Sequence, residues 1–491
     1  MGRTPRLAMN FLSPAASQSQ GFMKQVCICL LLGIVALGAY SASFPGAFHF
    51  DDHPLLIENP RVTSPTFDYS SFIEMYGGRP LTLWTFHLNY RLFGAVPASF
   101  HGVNVFLHAL AGILLYLLIR GWKFSWGVAF SAALLFVLHP AQAQAVDYVW
   151  ARSLLLMAVF GLAALLLVRR HPWWALFLLQ LAVWSRADAL VLLVPLILLD
   201  RRLLKPGLVL AASDLACFVY GFVLASPAEF AWNHPGWVAF WLQAPLVLLH
   251  YLGWMIWPNR FSIFHGPSVI SALPLIVAAG TVAALGVAAL ALGRRIFPIW
   301  IGMGWALLLL LPSVLIPNSE PFSESRAYLA IAGLALAAAW GTWTGAQSIG
   351  GRFRRPLLGR LVGIFVLAGL IIPAYAMTQE RHRIWADDVA LWREAVDQEP
   401  GEVLPNYNLA VALSNRGKTD EACRYFTRGV NLNPRDDMSY SGLGYCAEVN
   451  GQISRAAGYY SQALSLNDGN EYAREALHRL GLKPDPGEAK P

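Results

Sequence analysis

Long apolar runs recur between residues 25 and 378 of this chain, and they constrain its fold more than any other feature. Most are about 17–25 residues long, enough for a helix to cross the hydrocarbon core of a bilayer. Only 13% of the 491 residues are charged, against about a quarter in soluble domains. The pattern predicts a polytopic membrane protein with about eleven transmembrane helices. The candidate spans are roughly 25–44, 101–119, 124–139, 146–168, 172–185, 187–200, 207–225, 271–292, 297–316, 327–346 and 361–378.

Basic residues in short loops orient these spans, because cytoplasmic loops carry an excess of Lys and Arg. We expect the first span to be retained, with the N-terminus in the cytoplasm. All later basic loops also fall inside if the apolar segment 237–257 does not cross. We therefore predict that residues 226–268 stay on the outer side as interfacial or re-entrant helices, broken near Pro245. The basic loops are Arg120/Lys123, Arg169-Arg170, Arg201–Lys205, Arg294-Arg295 and Arg352–Arg355.

The composition changes near residue 381, where a polar segment repeats with a period of 34 residues. Small residues recur at close-approach positions with large ones between them, as in tetratricopeptide repeats. The period predicts a leading helix at 385–400, repeats at 403–434 and 437–468, and a capping helix at 470–480. Because two repeats alone are marginally stable, we expect them to lean on the membrane domain. The matched pairs are Leu409/Leu443, Ala410/Gly444, Gly417/Gly451, Ala422/Ala456, Phe426/Tyr460 and Leu432/Leu466.

The predicted fold is all-α, a polytopic helical membrane bundle followed by a short tetratricopeptide-repeat α-solenoid. With eleven spans, the repeats lie on the extracytoplasmic side, together with the first outer loop at residues 45–100. Cys423 and Cys446 fall on adjacent repeat helices, where a disulfide is feasible outside the cytoplasm. We favour the alternative that both are small buried side chains. The predicted domains are the membrane domain at 1–380, the repeats at 381–482 and a disordered tail at 483–491.

Two adjacent carboxylates, Asp51 and Asp52, stand just past the end of the first apolar span. Ionisable side chains at this depth are costly and indicate a function. A carboxylate at the outer edge of a membrane bundle can take a proton from an acceptor hydroxyl. The alternative is that an Asp before His53 and Pro54 simply caps a helix.

Arginines in the outer loops form a second set of candidate site residues. They oppose the usual charge bias of such loops, so we expect an anionic partner, and a lipid phosphate is the natural candidate. The alternative is that each pairs with a neighbouring carboxylate inside the bundle. The arginines are Arg79, Arg152, Arg186 and Arg326. The supporting polar residues, which include those carboxylates, are His53, His139, Asp147, Asp188, Glu324, Tyr328 and His265.

These groups suit transfer of a sugar from a polyprenyl phosphate. The leaving phosphate is already a weak base, so a guanidinium can stabilise it without a general acid. The proton on the acceptor hydroxyl then needs one carboxylate base, and in-line attack inverts the anomeric centre. The sequence has no metal-spaced Cys/His set and no nucleic-acid signal, and a divalent cation is left open.

Several motifs in order resemble the transmembrane-and-tetratricopeptide-repeat O-mannosyltransferases, within the GT-C class of lipid-carrier-dependent glycosyltransferases. The resemblance implies a polyprenyl-phosphate-sugar donor, a protein acceptor, the first-loop Asp as catalytic base, and extracytoplasmic repeats that hold the acceptor. It suggests a bacterial relative in the inner membrane. The motifs are Phe50-Asp51-Asp52-His53 with Asn59-Pro60, Arg79-Pro80-Leu81-Thr82, Asn104 to His108-Ala109-Leu110, Leu138-His139-Pro140 to Arg152, Glu324-Ser325-Arg326-Ala327-Tyr328, and Trp385 to Trp392.

The chain departs from that family's pattern at several positions where a His, a Glu or a Ser-Lys-Glu is usual, so mannose is not assumed as the sugar. We expect the acceptor to contact the concave repeat surface at Asn406, Tyr407 and Tyr440. Two alternatives stay open: a transferase acting on a glycan or lipid, with the repeats recruiting partners, and a non-enzymatic membrane scaffold that displays the repeats. The departures are Gln142, Gln144, Ser185-Arg186-Ala187 and Ser325.

Overall fold

The computed structural model describes residues 14–66, 79–219, 237–266, 276, 279–281, 297–316 and 322–482. Regular structure within these ranges is helical throughout, which confirms the all-α prediction. The helices are α1 Pro14–Ala39, α2 Pro60–Thr63, α3 Pro80–Phe93, α4 Pro97–Gly121, α5 Trp126–Val137, α6 Ala143–Asp147, α7 Arg152–Leu167, α8 Pro172–Ser185, α9 Leu193–Leu199, α10 Leu204–Phe218, α11 Trp237–Ile256, α12 Phe297–Leu315, α13 Ile331–Arg352, α14 Pro356–Trp385, α15 Asp388–Gln398, α16 Val403–Asn415, α17 Thr419–Leu432, α18 Asp437–Val449, α19 Ile453–Leu466 and α20 Glu471–Arg479.

Five helices of the described ranges are long and apolar enough to cross a membrane, and a pair bent by 52° makes a sixth if counted as one span. This is compatible with a multi-pass membrane protein. Most of the predicted span at 271–292 lies outside the described residues, so the total of about eleven stays a prediction. The five are Gly21–Ser43, Pro97–Gly121, Val149–Leu167, Phe297–Leu315 and Pro356–Trp385, and the bent pair is Trp126–Val137 with Pro140–Asp147.

Helix α4 sets the two ends of the bundle. It packs against α1, α5 and α7, and its 25 residues span about 37 Å. At its C-terminal end the Arg120 guanidinium and the Lys24 ammonium both lie over the Trp126 ring. At its N-terminal half Phe100 and Asn104 face the loops that follow α1 and α6. Basic residues and the acidic loop therefore lie at opposite ends of one long helix.

Helix α11 differs from its prediction. We expected a break near Pro245, but the helix runs without interruption from Trp237 to Ile256 with this proline inside it. A proline removes one backbone hydrogen bond and commonly kinks a helix without ending it. Buried aromatic contacts hold the C-terminal half, where Tyr251 and Trp254 pack against Phe322.

The repeat segment has the helices that the 34-residue period predicts. Small residues do make the close approaches: a Cβ on Gly442 would lie 2.2 Å from the Phe426 ring, and one on Gly444 would lie 2.5 Å from the Tyr460 ring. Helix α14 continues through the predicted domain boundary at residue 380 and ends at Trp385.

The repeats share a hydrophobic core with the loops of the membrane domain, as expected for a short solenoid. Ile263 and Trp385 are buried with Trp392 of α15 and the first repeat, and Phe50 and Tyr148 pack against this cluster. The acidic loop, the loop after α6 and the repeats therefore meet at one end of the bundle.

A disulfide joins Cys423 of α17 to Cys446 of α18. The preferred interpretation of two free buried thiols was therefore wrong. Periodicity places the two helices side by side, but only the packed structure brings the sulfur atoms within bonding distance. The crosslink ties the two repeats together.

We expect dithiothreitol to lower the stability of the repeats. The crosslink closes a loop with a sequence separation of 23 residues, which the chain-entropy treatment converts to about 3 kcal/mol. Thermal unfolding of the purified protein in detergent, with and without the reductant, measures the effect. A variant with Ser at both Cys423 and Cys446 is the control, and a reductant effect that persists in it would contradict the assignment.

Candidate active site

Asp52 is buried and anchors the acidic loop. Its carboxylate accepts the His49 backbone N–H at 3.0 Å and the Trp150 backbone N–H at 2.8 Å. Burial raises the pKa of Asp52 to about 7, although these two amides and the His49 ring act to lower it. Both carboxylate oxygens are thus engaged by the protein, and the residue ties the acidic loop to the loop before α7.

Asp51 is half-buried and is the more accessible acid of the pair. Burial raises its pKa, although the Tyr148 hydroxyl and the Arg79 guanidinium lower it. A raised pKa makes a carboxylate a stronger base, provided that it is ionised at the working pH. Of the two acids, Asp51 is therefore the one suited to accept a proton from a substrate.

Arg79 stands at the N-terminus of α3 in a left-handed conformation, with φ of 62°. Its Nη1 donates to Ser153 Oγ at 3.2 Å, and the guanidinium lies 5.5 Å from the centre of the Trp150 ring. Burial and then the charges of Arg186 and Arg326 lower the pKa of Arg79 to about 9, opposed by Asp188. An anion bound among these guanidinium groups would offset the repulsion between their like charges.

Arg186 and Arg326 complete this cluster of cations. Arg186 Nε donates to Asp188 Oδ2 at 2.7 Å, and both side chains are about one fifth exposed. The pairing alternative therefore holds for this arginine, yet a monodentate contact leaves further guanidinium N–H groups. Burial raises the pKa of the Tyr251 hydroxyl, and the neighbouring Arg326 guanidinium opposes this shift. We call Arg79, Arg186 and Arg326 the arginine cluster.

Arg152 does not belong to the arginine cluster. Its fully buried guanidinium donates to Asn104, Asn89, Thr85 and Phe100 oxygens, at 2.9–3.3 Å. Its predicted partner Asp147 is bonded elsewhere. These bonds fix α7 against α3 and α4, so the sequence-based assignment of Arg152 to a lipid phosphate does not fit its surroundings.

A cavity of about 280 Å³ opens beside the Arg186–Asp188 pair. Asp188 lines it, and most of the other lining side chains are aliphatic. The lining comes from α8, α10, α12 and residues 187–191. These residues are Val183, Ala187, Asp188, Leu190, Val191, Asp214, Leu215, Leu311, Pro312, Leu315 and Ile316.

Several predicted supporting residues lie in buried networks away from the acid. Asp147 accepts from Ser43 Oγ at 2.5 Å and contacts His382 Nδ1 at 2.6 Å, which joins α6 to α14. The Tyr328 hydroxyl contacts a His108 ring nitrogen at 2.8 Å. His139 Nδ1 accepts the Ala141 N–H, and Nε2 contacts the Met255 carbonyl.

The remaining supporting residues stabilise loops around the site. Buried Glu324 accepts the Ser262 N–H at 2.5 Å, and His265 Nε2 lies 3.7 Å from the same carboxylate. His53 is exposed, with Nε2 3.2 Å from the Phe48 carbonyl oxygen.

The acceptor-binding prediction needs a correction at Asn406. This side chain is fully buried, and its Nδ2 donates to the Glu402 carbonyl at 2.7 Å, so it stabilises the start of α16 and presents nothing to a ligand. Tyr407 packs against Phe426, and Tyr440 lies near Tyr459. Both tyrosines remain partly exposed.

Sequence reasoning missed Tyr148, Tyr251, His49 and Asp388, which contact the candidate residues. Tyr148 and Asp388 lie within the motifs named above and His49 directly precedes one, but no sequence pattern pairs them with the candidate residues, and only the fold brings them there. Within the described part of the chain, no group of three or more His, Cys, Asp or Glu side chains is arranged to hold a metal ion.

Comparison with known proteins finds a partial match. Part of this chain is similar to protein O-mannosyl-transferases. Protein O-mannosyl-transferase F38B6.6 of Caenorhabditis elegans is 32% identical over 165 residues, which cover 30% of this chain and 23% of the relative. Protein O-mannosyl-transferase TMTC4 of Mus musculus is 32% identical over 163 residues, 28% of this chain and 22% of the relative. The matched part thus spans less than a quarter of the length of either relative.

Protein O-mannosyl-transferase TMTC3 of Mus musculus is also 32% identical, over 151 residues that cover 28% of this chain and 16% of the relative. No protein-family model and no solved structure matches the chain.

Proposed function

We propose that this protein is an integral membrane glycosyltransferase that moves a sugar from a polyprenyl phosphate to a hydroxyl group of a protein. The observation that carries the proposal is the position of Asp51 within reach of the Arg79 charge. The arginine cluster in turn adjoins an apolar cavity, because Asp188, the ion-pair partner of Arg186, lines it. Transfer from such a donor needs a base for the acceptor hydroxyl, an anion site for the phosphate and an apolar cavity for the lipid chain. The names of the partial relatives agree with the reaction class.

In the proposed reaction, the acceptor hydroxyl attacks the anomeric carbon of the donor sugar. Its proton passes to a carboxylate oxygen of Asp51, and the bond from the anomeric carbon to the phosphate oxygen breaks. The departing polyprenyl phosphate gains one negative charge, which the guanidinium groups of Arg79, Arg186 and Arg326 stabilise. One displacement inverts the anomeric centre. Asp52, which is held by two backbone amides, fixes the loop that presents Asp51.

The cavity beside Arg186 supports a lipid carrier rather than a nucleotide. Its lining is almost wholly aliphatic, and only the carboxylates Asp188 and Asp214 interrupt it. A prenyl chain would gain about 25 cal/mol for each Å² of apolar surface it buries there. A phosphate at the arginine cluster would then sit at the edge of the cavity.

The disulfide supports an extracytoplasmic position for the repeats, because such bonds persist in oxidising compartments. Lys24 and Arg120 lie at the opposite end of α4 from the acidic loop, which agrees with a cytoplasmic N-terminus. We place the protein in a bacterial inner membrane, with the acceptor protein held by the repeats.

Mass spectrometry of envelope proteins from the source organism tests this function. We expect deletion of the gene to remove a hexose-sized mass increment from Ser or Thr of one or a few proteins. The lost mass identifies the sugar, and the modified peptide identifies the acceptor. An unchanged set of glycopeptides, with altered lipid-linked glycans instead, would show that the acceptor is a glycan or lipid and overturn the protein-acceptor proposal.

A further inference from the structure

Helix α15 lies directly on the loop that carries the acidic pair. The Phe50 ring packs edge-on against Trp392 of α15, with 5.5 Å between the ring centres. Beside it, Tyr148 stacks on Trp385 at the end of α14, at 5.8 Å. His49 Nδ1 forms an ion-paired hydrogen bond with the Asp388 carboxylate in the first turn of α15. The leading helix of the repeat domain therefore packs directly against the acidic loop.

We propose that Asp388 is a positioning residue, which acts through His49 to hold Asp51 in place for the transfer described above. The inference rests on the proposed function and deepens it, because it makes the leading helix of the repeats part of the active site. Occupancy of the repeats by an acceptor would then bear directly on the catalytic loop.

A continuous chain of bonds runs from Asp388 to the loop before α7. Asp388 binds the His49 ring, the His49 backbone N–H donates to Asp52 at 3.0 Å, and Asp52 accepts the Trp150 N–H. His49 is 1% exposed, whereas the Asp388 side chain is 42% exposed, so water reaches this bond only from the Asp388 side. In sequence, Asp51 lies between His49 and Asp52, which both belong to this chain of bonds. A shift of His49 therefore moves Asp51.

The backbone at Phe50 needs such support. Its φ is 45°, a left-handed conformation that is unfavourable for a residue with a side chain. That cost must be met by contacts elsewhere, since the loop alone would relax toward an extended conformation. The packing of Phe50 on Trp392 and the His49–Asp388 bond supply those contacts from α15.

The strength of the His49–Asp388 bond also depends on pH. Burial lowers the pKa of His49, but Asp388 of α15, Asp52 of its own loop and the Trp385 carbonyl of α14 raise it above the usual value. Among the residues that the structure describes, His101 of α4 also faces it. A raised pKa means that the protonated pair is held at low pH and lost as pH rises through the folded pKa.

Hydrogen exchange of full-length protein in detergent, read by mass spectrometry on peptides covering 44–58, tests the bridge without an activity assay. We expect Asp388→Asn to speed exchange about tenfold or more there. Asp388→Glu should restore protection, and Asp397→Asn, which removes an exposed acid from the same helix, should match the wild type. After correction for intrinsic rates, wild-type protection should fall with rising pH, and the Asn variant should lack this dependence.

Transfer kinetics supply the second readout, with washed membranes as acceptor source and a polyprenyl phosphate bearing, in radiolabelled form, the sugar that the lost mass identifies. We expect Asp388→Asn to lower kcat on the order of 10–100-fold, with the donor KM unchanged, and to shift the alkaline limb of the pH profile to lower pH. Unchanged exchange at 44–58, or lost transfer without that shift, would overturn the positioning role. Changed exchange with no transfer by the wild type would instead overturn the proposed function.

Discussion

Replacing Asp51 with Asn is expected to abolish sugar transfer, with a loss of about 100–10,000-fold in kcat. The amide keeps the size of the side chain but cannot take the proton of the acceptor hydroxyl. Because Asp51 is only half-buried, the fold should tolerate the change. The measurement is incorporation of the radiolabelled sugar, identified from the lost mass, from a polyprenyl phosphate into membrane proteins of the gene-deletion strain.

Two variants of the same loop make this result specific. Glu58→Gln removes an exposed carboxylate nearby and should leave transfer unchanged. Asp52→Asn should act mainly on folding, because an amide offers one acceptor oxygen where two backbone N–H groups now donate, at a cost of about 1–3 kcal/mol. Full transfer by Asp51→Asn protein would refute the assignment of Asp51 as base.

Replacing Arg186 with Gln is expected to lower kcat/KM for the lipid donor by about 100–1,000-fold, the usual cost of losing one charge-stabilising donor. The Arg186 guanidinium lies beside Asp188, which lines the apolar cavity. Its positive charge adds to those of Arg79 and Arg326. Arg186→Lys should recover only part of the activity, since a lysine keeps the charge but not the planar fork.

The chain supplies a matched control for this experiment. Arg202 pairs with Asp200 across the same two-residue spacing as Arg186 and Asp188, but its side chain is 68% exposed. Arg202→Gln should therefore leave donor kinetics unchanged. Equal kcat/KM for Arg186→Gln and the wild type would remove Arg186 from the phosphate site and weaken the case for the arginine cluster.

The repeat helices and the acidic loop could be predicted because their signals are local. A 34-residue period fixes which faces of successive helices must meet, as Gly444 against the Tyr460 ring illustrates. Asp51 and Asp52 stand out because carboxylates beside an apolar span are costly wherever the chain goes afterwards. The roles of the two acids could not be separated, since the amides that engage Asp52 come partly from Trp150, far along the chain.

Errors arose where a residue type has two uses. Arg152 and Arg186 both stand in loops between apolar segments, yet only the fold surrounds Arg152 with four oxygen acceptors and leaves Arg186 beside a cavity. Asn406 occupies a position on α16 that the period alone assigns to a ligand surface. Its burial follows from how α16 packs on its neighbours.

The sequence by itself determined the helical class, the apolar bundle, the repeat periodicity and the acid pair, because each depends on near neighbours in the chain. Tertiary structure decided which guanidinium groups lie close enough for their charges to interact, which cysteines form a disulfide, and that Asp388 reaches His49. The arginines and the Asp388–His49 pair join residues more than a hundred positions apart, while the cysteines are 23 residues apart. The energies of all these contacts depend on burial and distance, which exist only after packing.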